Sequence, residues 1–137
     1  MIEQTLALIK PDAVAAGNTG AIIKMIEENG FTIDRMEKGI LKKEHAENFY
    51  DIHKEKPFFN ELVEFITSGP LIVIALRKEG AVDEWRKLMG ATDPAKADAG
   101  TIRKSFGTEI GKNAVHGSDS LENAKRELLL FFGQQPQ

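Results

Sequence analysis

The sequence predicts an α/β fold, in which a four-stranded and mainly antiparallel sheet is covered by helices. Two observations lead to this class. Four short segments have the apolar runs or alternation typical of strands. In five other segments the apolar residues recur every three or four positions, as they do on one face of a helix. Glycine and proline punctuate the whole chain, and no linker, repeat or low-complexity stretch divides it. We therefore expect residues 1–137 to form one domain.

The first half of the chain supplies two strands and three helices. The segment at 4–10 predicts a strand that Pro11 ends, and the segment at 18–29 predicts a helix that Gly30 ends. The remaining elements of this half are an extended segment at 31–41, with a bulge or bend near Arg35 and Met36 where the alternation slips, and helices at 44–54 and 58–67.

The second half begins with the most apolar strand. The β-branched run at 71–76 follows a Gly-Pro turn, which predicts a central strand that is buried on both faces. The other elements of this half are a helix at 81–89, a loop-rich stretch with short helical turns, a short strand at 114–116, and a last helix that Asp119 starts, with Glu122 as its capping partner. The compressed order is βαββαβ, which is the ferredoxin-like arrangement.

The composition excludes several kinds of protein. The chain has no cysteine, which excludes disulfides, thiolate zinc sites and a thiol nucleophile. Its net charge of −3 argues against general nucleic-acid binding, which depends on Lys and Arg at phosphates. The longest apolar run is too short to cross a bilayer, which takes about 20 residues. The amino terminus lacks the pattern of an export signal, so we expect a cytoplasmic protein.

The three histidines differ in their surroundings. His45 lies in a charged helix start and is expected in solvent, whereas His53 shares the apolar side of a helix with Tyr50 and is expected to pack. His116 lies where a strand ends and a turn begins. Its position alone allows a structural role, but a neutral imidazole is also a good nucleophile near pH 7 and can carry a phosphoryl group.

The neighbours of His116 favour the chemical interpretation. Gly117 lets the backbone approach closely, and Ser118 can donate a hydrogen bond. The free amides at the start of the next helix can stabilise negative charge. Glu127, two turns into that helix, could reach back as a carboxylate that orients the imidazole.

A bound phosphate would have to be held by side chains. The segment at 107–113 has three residues between its glycines and ends in Asn113, so it does not match the phosphate-binding loop GxxxxGK[ST]. The dinucleotide signature GxGxxG is also absent. The basic residues in weakly polar segments are Lys10, Arg86 and Arg103, each of which, taken alone, is more simply explained as an ordinary surface charge.

One octapeptide is specific. The segment at 113–120 reads Asn-Ala-Val-His-Gly-Ser-Asp-Ser and resembles the N-x-x-H-G-S-D signature of the nucleoside diphosphate kinases. Four further segments resemble the same family and occur in its order, at 5–12, 56–59, 68–70 and 100–103. The resemblance covers nearly the whole chain, to about Phe132.

The resemblance implies a ping-pong phosphotransferase of the nucleoside diphosphate kinase type. A nucleoside triphosphate would phosphorylate His116, and the phosphate would then pass to a second nucleoside diphosphate. By matching position, Glu127 and Ser118 would orient the histidine, and Phe58 would stack on the base, which predicts low base selectivity because every base has a π-face. The remaining residues implied to bind phosphates and sugar or to line the site are Lys10, Tyr50, Arg86, Thr92, Arg103 and Asn113.

The resemblance also implies a magnesium ion that arrives with the nucleotide, and a homo-oligomer, since members of the family are usually tetramers or hexamers. The chain departs from the family at Ala13, where Gly is frequent, and at 90–93, where Gly-Ala-Thr-Asp replaces Gly-Glu-Thr-Asn. The main alternative is a non-catalytic ferredoxin-like module that binds a regulatory nucleotide, because fold does not fix function. A nucleic-acid-binding regulator is a second alternative, which the acidic balance disfavours.

Overall fold

A four-stranded antiparallel sheet organises the protein, in a computed structural model that describes residues 1–51 and 54–133. The elements of these ranges are β1 (Ile2–Ile9), α1 (Pro11–Ala15), α2 (Thr19–Glu28), β2 (Thr32–Gly39), α3 (Lys43–Phe49), α4 (Phe59–Ile66), β3 (Leu71–Glu79), α5 (Ala81–Met89), a 3₁₀ turn (Pro94–Lys96), α6 (Ile102–Phe106), β4 (Val115–Gly117) and α7 (Leu121–Phe132).

The strand order is β2-β3-β1-β4, and each neighbouring pair is antiparallel. This order confirms the predicted ferredoxin-like fold. The two most apolar strands, β1 and β3, lie at the centre, because only central strands can bury both faces. The short strand β4 pairs with β1, with His116 opposite Leu8. The predicted nucleophile therefore lies at the edge of a rigid sheet.

Alternation along β1 divides the apolar residues between two layers. Ala7 and Ile9 face a cluster with α2 and α5, whereas Leu6 and Leu8 face a cluster with α3, α4 and α7. The residues of β1 from Leu6 to Ile9 are fully buried. The helices that carry the predicted site residues are thus packed on both faces of the sheet.

Several predicted boundaries change in the structure. The helix predicted at 44–54 ends at Phe49, and the expectation for His53 lies outside the described residues. The bulge in β2 falls between Ile33 and Arg35, next to its predicted position. The five-residue helix α1 was not predicted, because so short a segment has no measurable periodicity. No helix in the described ranges is both long and apolar enough to cross a membrane.

The prediction for the start of α7 was wrong. Ser120, not Asp119, is the N-cap, and its hydroxyl accepts a hydrogen bond from the amide of Asn123. Glu122 therefore does not occupy the third helical position that a capping box requires. The expectation of a solvated His45 was also wrong. Its Nε2 lies 2.8 Å from the carbonyl oxygen of Leu130, and its ring packs on Phe131.

Candidate active site

His116 is held in place by aromatic side chains from two helices. Its ring meets the edge of Phe49 from α3 at a centroid distance of 4.9 Å, and its side chain keeps 25 % of its surface exposed. The indole of Trp85 from α5 donates a 3.2 Å hydrogen bond to the carbonyl oxygen of His116. The imidazole is therefore fixed by packing but still reachable from solvent.

A buried carboxylate lies against the imidazole. Glu127 Oε1 is 3.4 Å from Nε2 of His116, and the hydroxyl of Ser118 donates a 2.6 Å hydrogen bond to the same oxygen. Glu127 and Ser118 are both buried. A carboxylate in this place accepts a hydrogen bond from Nε2–H and so favours the tautomer in which Nδ1 carries the free lone pair.

Gly117 has a packing function that the sequence did not reveal. A Cβ atom at this position would lie 2.4 Å from Cδ1 of Trp85 and 2.7 Å from Cε of Met89. The close approach at Gly117 is therefore to the buried indole of Trp85. This contact fixes the distance between β4 and α5.

Lys10 is a buried cation at the end of β1. Its ammonium group donates a 2.9 Å hydrogen bond to Oδ1 of Asn113, which in turn donates to the carbonyl oxygen of Thr92. Burial, together with the positive charge of Arg103, lowers the pKa of Lys10 to about 8, against the opposing effect of Asp12. A nearby anion would favour the protonated form of such a lysine and raise its pKa.

Arg103 is the second buried cation of the site. Its guanidinium donates to the carbonyl oxygens of Gly90 and Val115, at 3.0 and 2.9 Å, which ties α6 to β4. Its Nε is buried and has no partner within residues 1–51 and 54–133. Burial, together with the charge of Arg86, lowers the pKa of Arg103 to about 10, so it remains protonated at neutral pH.

A cleft of about 300 Å³ opens beside Arg103. Arg86, Thr92 and Arg103 are among its lining residues. Arg86 is exposed on α5, and its guanidinium makes a long contact of 3.5 Å with the carbonyl oxygen of Asp119. The cleft therefore brings together a loosely held guanidinium and a buried one.

The two predicted aromatic residues have different surroundings. Tyr50 is buried, packs on Phe49 at 4.8 Å and lines a smaller cleft with His116. Burial and the charge of Glu127 raise the pKa of Tyr50 above its ordinary value, so its hydroxyl stays protonated. Phe58 is 42 % exposed at the start of α4, outside the clefts at His116 and Arg86.

Comparison with known proteins identifies the family. A model of the family described as nucleoside diphosphate kinase matches residues 3–136. The chain belongs to the nucleoside diphosphate kinase family. A curated member from Campylobacter jejuni (strain 81-176) is 58 % identical over 131 residues, which are 96 % of each chain. Another from Nitratiruptor is 54 % identical over 134 residues, which are 98 % of each chain.

Solved nucleoside diphosphate kinases have the same fold. The enzyme from Aquifex aeolicus is similar with a TM-score of 0.94 and 41 % identity over 96 % of each chain. That from Halobacterium salinarum, solved in complex with CDP, has a TM-score of 0.92 and 39 % identity over 96 % of this chain and 88 % of its own. The curated names confirm the prediction of an enzyme of the nucleoside diphosphate kinase type, not a non-catalytic module.

Sequence reasoning also missed a strained turn in the candidate site. Ala114 has a φ of 74°, a left-handed conformation that costs a residue other than glycine about 1–3 kcal/mol. It lies two residues before His116, in a turn that contacts Asp12 at the start of α1. The only signal in the sequence was the position of Asp12 directly after Lys10 and Pro11.

Proposed function

We propose that the chain transfers the terminal phosphate of a nucleoside triphosphate to a nucleoside diphosphate through a phosphohistidine at His116. The observation that carries this proposal is the contact between Nε2 of His116 and the buried carboxylate of Glu127. It leaves Nδ1 as the nucleophile, since no hydrogen bond to Nδ1 occurs within the described ranges.

The transfer has two mirrored steps. Nδ1 attacks the γ-phosphorus, the bond to the bridging oxygen breaks, and the nucleoside diphosphate leaves with the electron pair. The phosphorylated ring keeps the proton on Nε2 and carries a positive charge, which Glu127 stabilises. A second nucleoside diphosphate then attacks the phosphorus with its terminal oxygen and restores the neutral imidazole.

Cations from separate segments support the phosphate charge. Lys10, Arg86 and Arg103 come from the end of β1, from α5 and from α6. Phosphoryl transfer needs positioning and charge stabilisation more than covalent chemistry, and these residues supply both. Asn113 and Thr92 complete the polar lining, and the hydroxyl of Tyr50 stays protonated beside the histidine.

Magnesium belongs to the substrate in this mechanism. Within the described residues no three His, Cys, Asp or Glu side chains lie close enough to hold a metal ion. The donors around the cleft are instead cationic, and Mg²⁺ commonly binds through substrate phosphates. We therefore propose that the ion enters as the magnesium complex of the nucleotide.

A labelling experiment tests the nucleophile. Incubation with γ-labelled ATP should give a protein-bound label that survives base and is lost in acid. His116→Ala should abolish the label while the far-UV spectrum stays native. His45→Ala is the matched control, because His45 contacts Leu130 and Phe131 instead of the site, and it should keep the label. A label that persists in His116→Ala would overturn the proposal.

We also propose that Phe58 stacks on the base with little selectivity. Its exposed ring offers a π-face, and every base has a matching one. Purine and pyrimidine nucleoside diphosphates should therefore be phosphorylated at comparable rates. Phe58→Ala should weaken the binding of all these nucleotides. A strong preference of the native enzyme for one base would contradict this proposal.

Cytoplasmic location and assembly into a tetramer or hexamer remain our predictions. Light scattering with size-exclusion chromatography would measure the mass of the assembly directly. A mass close to the 15.2 kDa of one chain would contradict the oligomer.

A further inference from the structure

The turn before His116 is held from both sides by the segment that follows β1. The amide of Ala114 donates a 3.1 Å hydrogen bond to Oδ2 of Asp12. The carbonyl oxygen of Ala114 accepts a 2.8 Å hydrogen bond from the amide of Lys10. Within the turn, the amide of Val115 donates to the carbonyl oxygen of Asn113 at 2.9 Å. The strained residue is thus fixed at both of its polar backbone atoms.

Two residues close to Ala114 in the sequence belong to the proposed machinery. Asn113 binds the ammonium group of Lys10, and His116 follows two residues after Ala114. A turn with positive φ would relax toward ordinary geometry if its amide lost the partner, because the left-handed conformation is unfavourable for alanine. Such a relaxation would move Asn113 and His116 together.

Asp12 is partly exposed, but the surroundings of its two carboxylate oxygens indicate a role beyond simple packing. Its second oxygen, Oδ1, is buried and has no partner within residues 1–51 and 54–133. A carboxylate oxygen that is enclosed without a hydrogen-bond partner carries a desolvation cost, so a smaller or apolar residue would suit simple packing better. Backbone strain clusters at functional sites, and a buried polar group without a partner requires an explanation such as a functional role.

We propose that Asp12 is a positioning residue for phosphoryl transfer, whose carboxylate holds the turn at Ala114 and thereby sets the places of Asn113 and His116. This inference rests on the proposed role of His116. Asp12 acts through the backbone amide of Ala114 and not on the substrate. It is separated from Ala114 by 102 positions in the sequence, which is why only the folded chain shows the contact.

Single-turnover labelling with γ-labelled ATP tests this inference. Asp12→Ala should slow formation of the phosphoenzyme by about 10- to 100-fold, since a displacement near 1 Å in a site can cost this much. Asp12→Asn keeps a carbonyl oxygen for the Ala114 amide and should remain within about 5-fold of the native rate, because the acceptor and not the charge holds the turn.

A rescue variant separates positioning from a general loss of stability. Ala114→Gly removes the penalty of positive φ, so the turn needs less support. The double variant Asp12→Ala, Ala114→Gly should therefore be labelled faster than Asp12→Ala alone. We expect it to recover at least about a third of the decrease in the logarithm of the labelling rate. The matched control combines Asp12→Ala with Ala16→Gly, where φ is −78° and glycine relieves nothing, and it should recover no rate.

The outcomes are distinct. If the native protein acquires no label, the proposed function fails, and Asp12 is not at issue. If the native protein is labelled but folded Asp12→Ala is labelled equally fast, or if folded Asp12→Asn is as slow as Asp12→Ala, the positioning inference is wrong. If Asp12→Ala does not fold, the rescue variant decides: recovery of folding and rate supports the inference, and its failure overturns it.

Discussion

The hydroxyl of Ser118, in the turn before α7, donates a 2.6 Å hydrogen bond to Oε1 of Glu127 in the middle of that helix, and both side chains are buried. The same oxygen lies 3.4 Å from Nε2 of His116. One carboxylate oxygen thus joins the turn after β4 to the imidazole. A hydrogen bond to a buried charged group contributes about 1.5–3 kcal/mol, enough to fix the carboxylate in one rotamer.

Ser118→Ala should reduce the rate of phosphoenzyme formation about 10-fold, because Glu127 loses the hydrogen bond that orients it toward the histidine and misplaced groups slow the reaction. Stopped labelling reactions with γ-labelled ATP would measure the rate. Ser120→Ala is the matched control two residues away. It should lower the free energy of unfolding by about 1 kcal/mol through the lost cap and leave the labelling rate near native. Equal rates in the two variants would contradict the role of Ser118.

Nucleotide binding should draw a proton from solvent at pH 8.5. Burial, reinforced by repulsion from Arg103 and opposed by Asp12, holds the pKa of Lys10 at about 8, so most molecules carry neutral Lys10 at this pH. A bound polyphosphate favours the charged form, raises the pKa and causes proton uptake. The pKa of Arg103, about 10, leaves that residue charged throughout.

Calorimetry of nucleoside diphosphate binding in buffers of different ionisation enthalpy would measure this uptake. Lys10→Gln removes the titrating group and should abolish the uptake at pH 8.5, although it also weakens binding. Uptake that persists unchanged in Lys10→Gln would show that another group titrates.

The buried Lys10 should also make stability depend on pH. Its pKa is lowered in the folded state, from 10.5 to about 8, so the cost of burying its charge is complete below pH 8 and disappears as pH rises toward 10.5. The stability of Lys10→Met relative to native should therefore be greater at pH 7 than at pH 10, by on the order of 3 kcal/mol. Urea unfolding at both pH values would measure it, and a pH-independent difference would refute the assignment.

Gly117→Ala should destabilise the protein, because its Cβ would lie 2.4 Å from Cδ1 of the buried Trp85. Overpacking of this kind costs about 1–3 kcal/mol, and it should also displace β4 and slow phosphorylation. Gly20→Ala is the control in open space on α2 and should stabilise by up to about 1 kcal/mol. Urea unfolding of the two variants should show shifts of opposite sign, and an unaffected Gly117→Ala would rule out the steric account.

The only tryptophan, Trp85, should report on phosphorylation of the histidine. Its indole is hydrogen-bonded to the carbonyl oxygen of His116, so added charge on the imidazole changes the field at the indole. Mixing with ATP should change the emission in a single phase that His116→Gln lacks. The idea fails if chemical labelling proceeds while the emission stays constant.

The sequence by itself determined the fold class, because the periods of its apolar residues distinguish strands from helices, and the run at 71–76 had to be a central strand. The motif at 113–120 identified His116 as the candidate nucleophile, and the distance along the chain allowed Glu127 to contact its imidazole. Helix ends were less determined, since Ser120 competes with Asp119 for the cap and only the backbone geometry decides between them.

Tertiary structure alone decided the contacts between distant segments. The pairing of Lys10 with Asn113, the grip of Asp12 on Ala114 and the fit of Gly117 against Trp85 all join residues from separate parts of the chain. Local periodicity carries no information about such contacts, because they depend on which elements the sheet order makes neighbours. The physical reason is that β4 pairs with β1, which brings the segment after β1 next to the turn before His116.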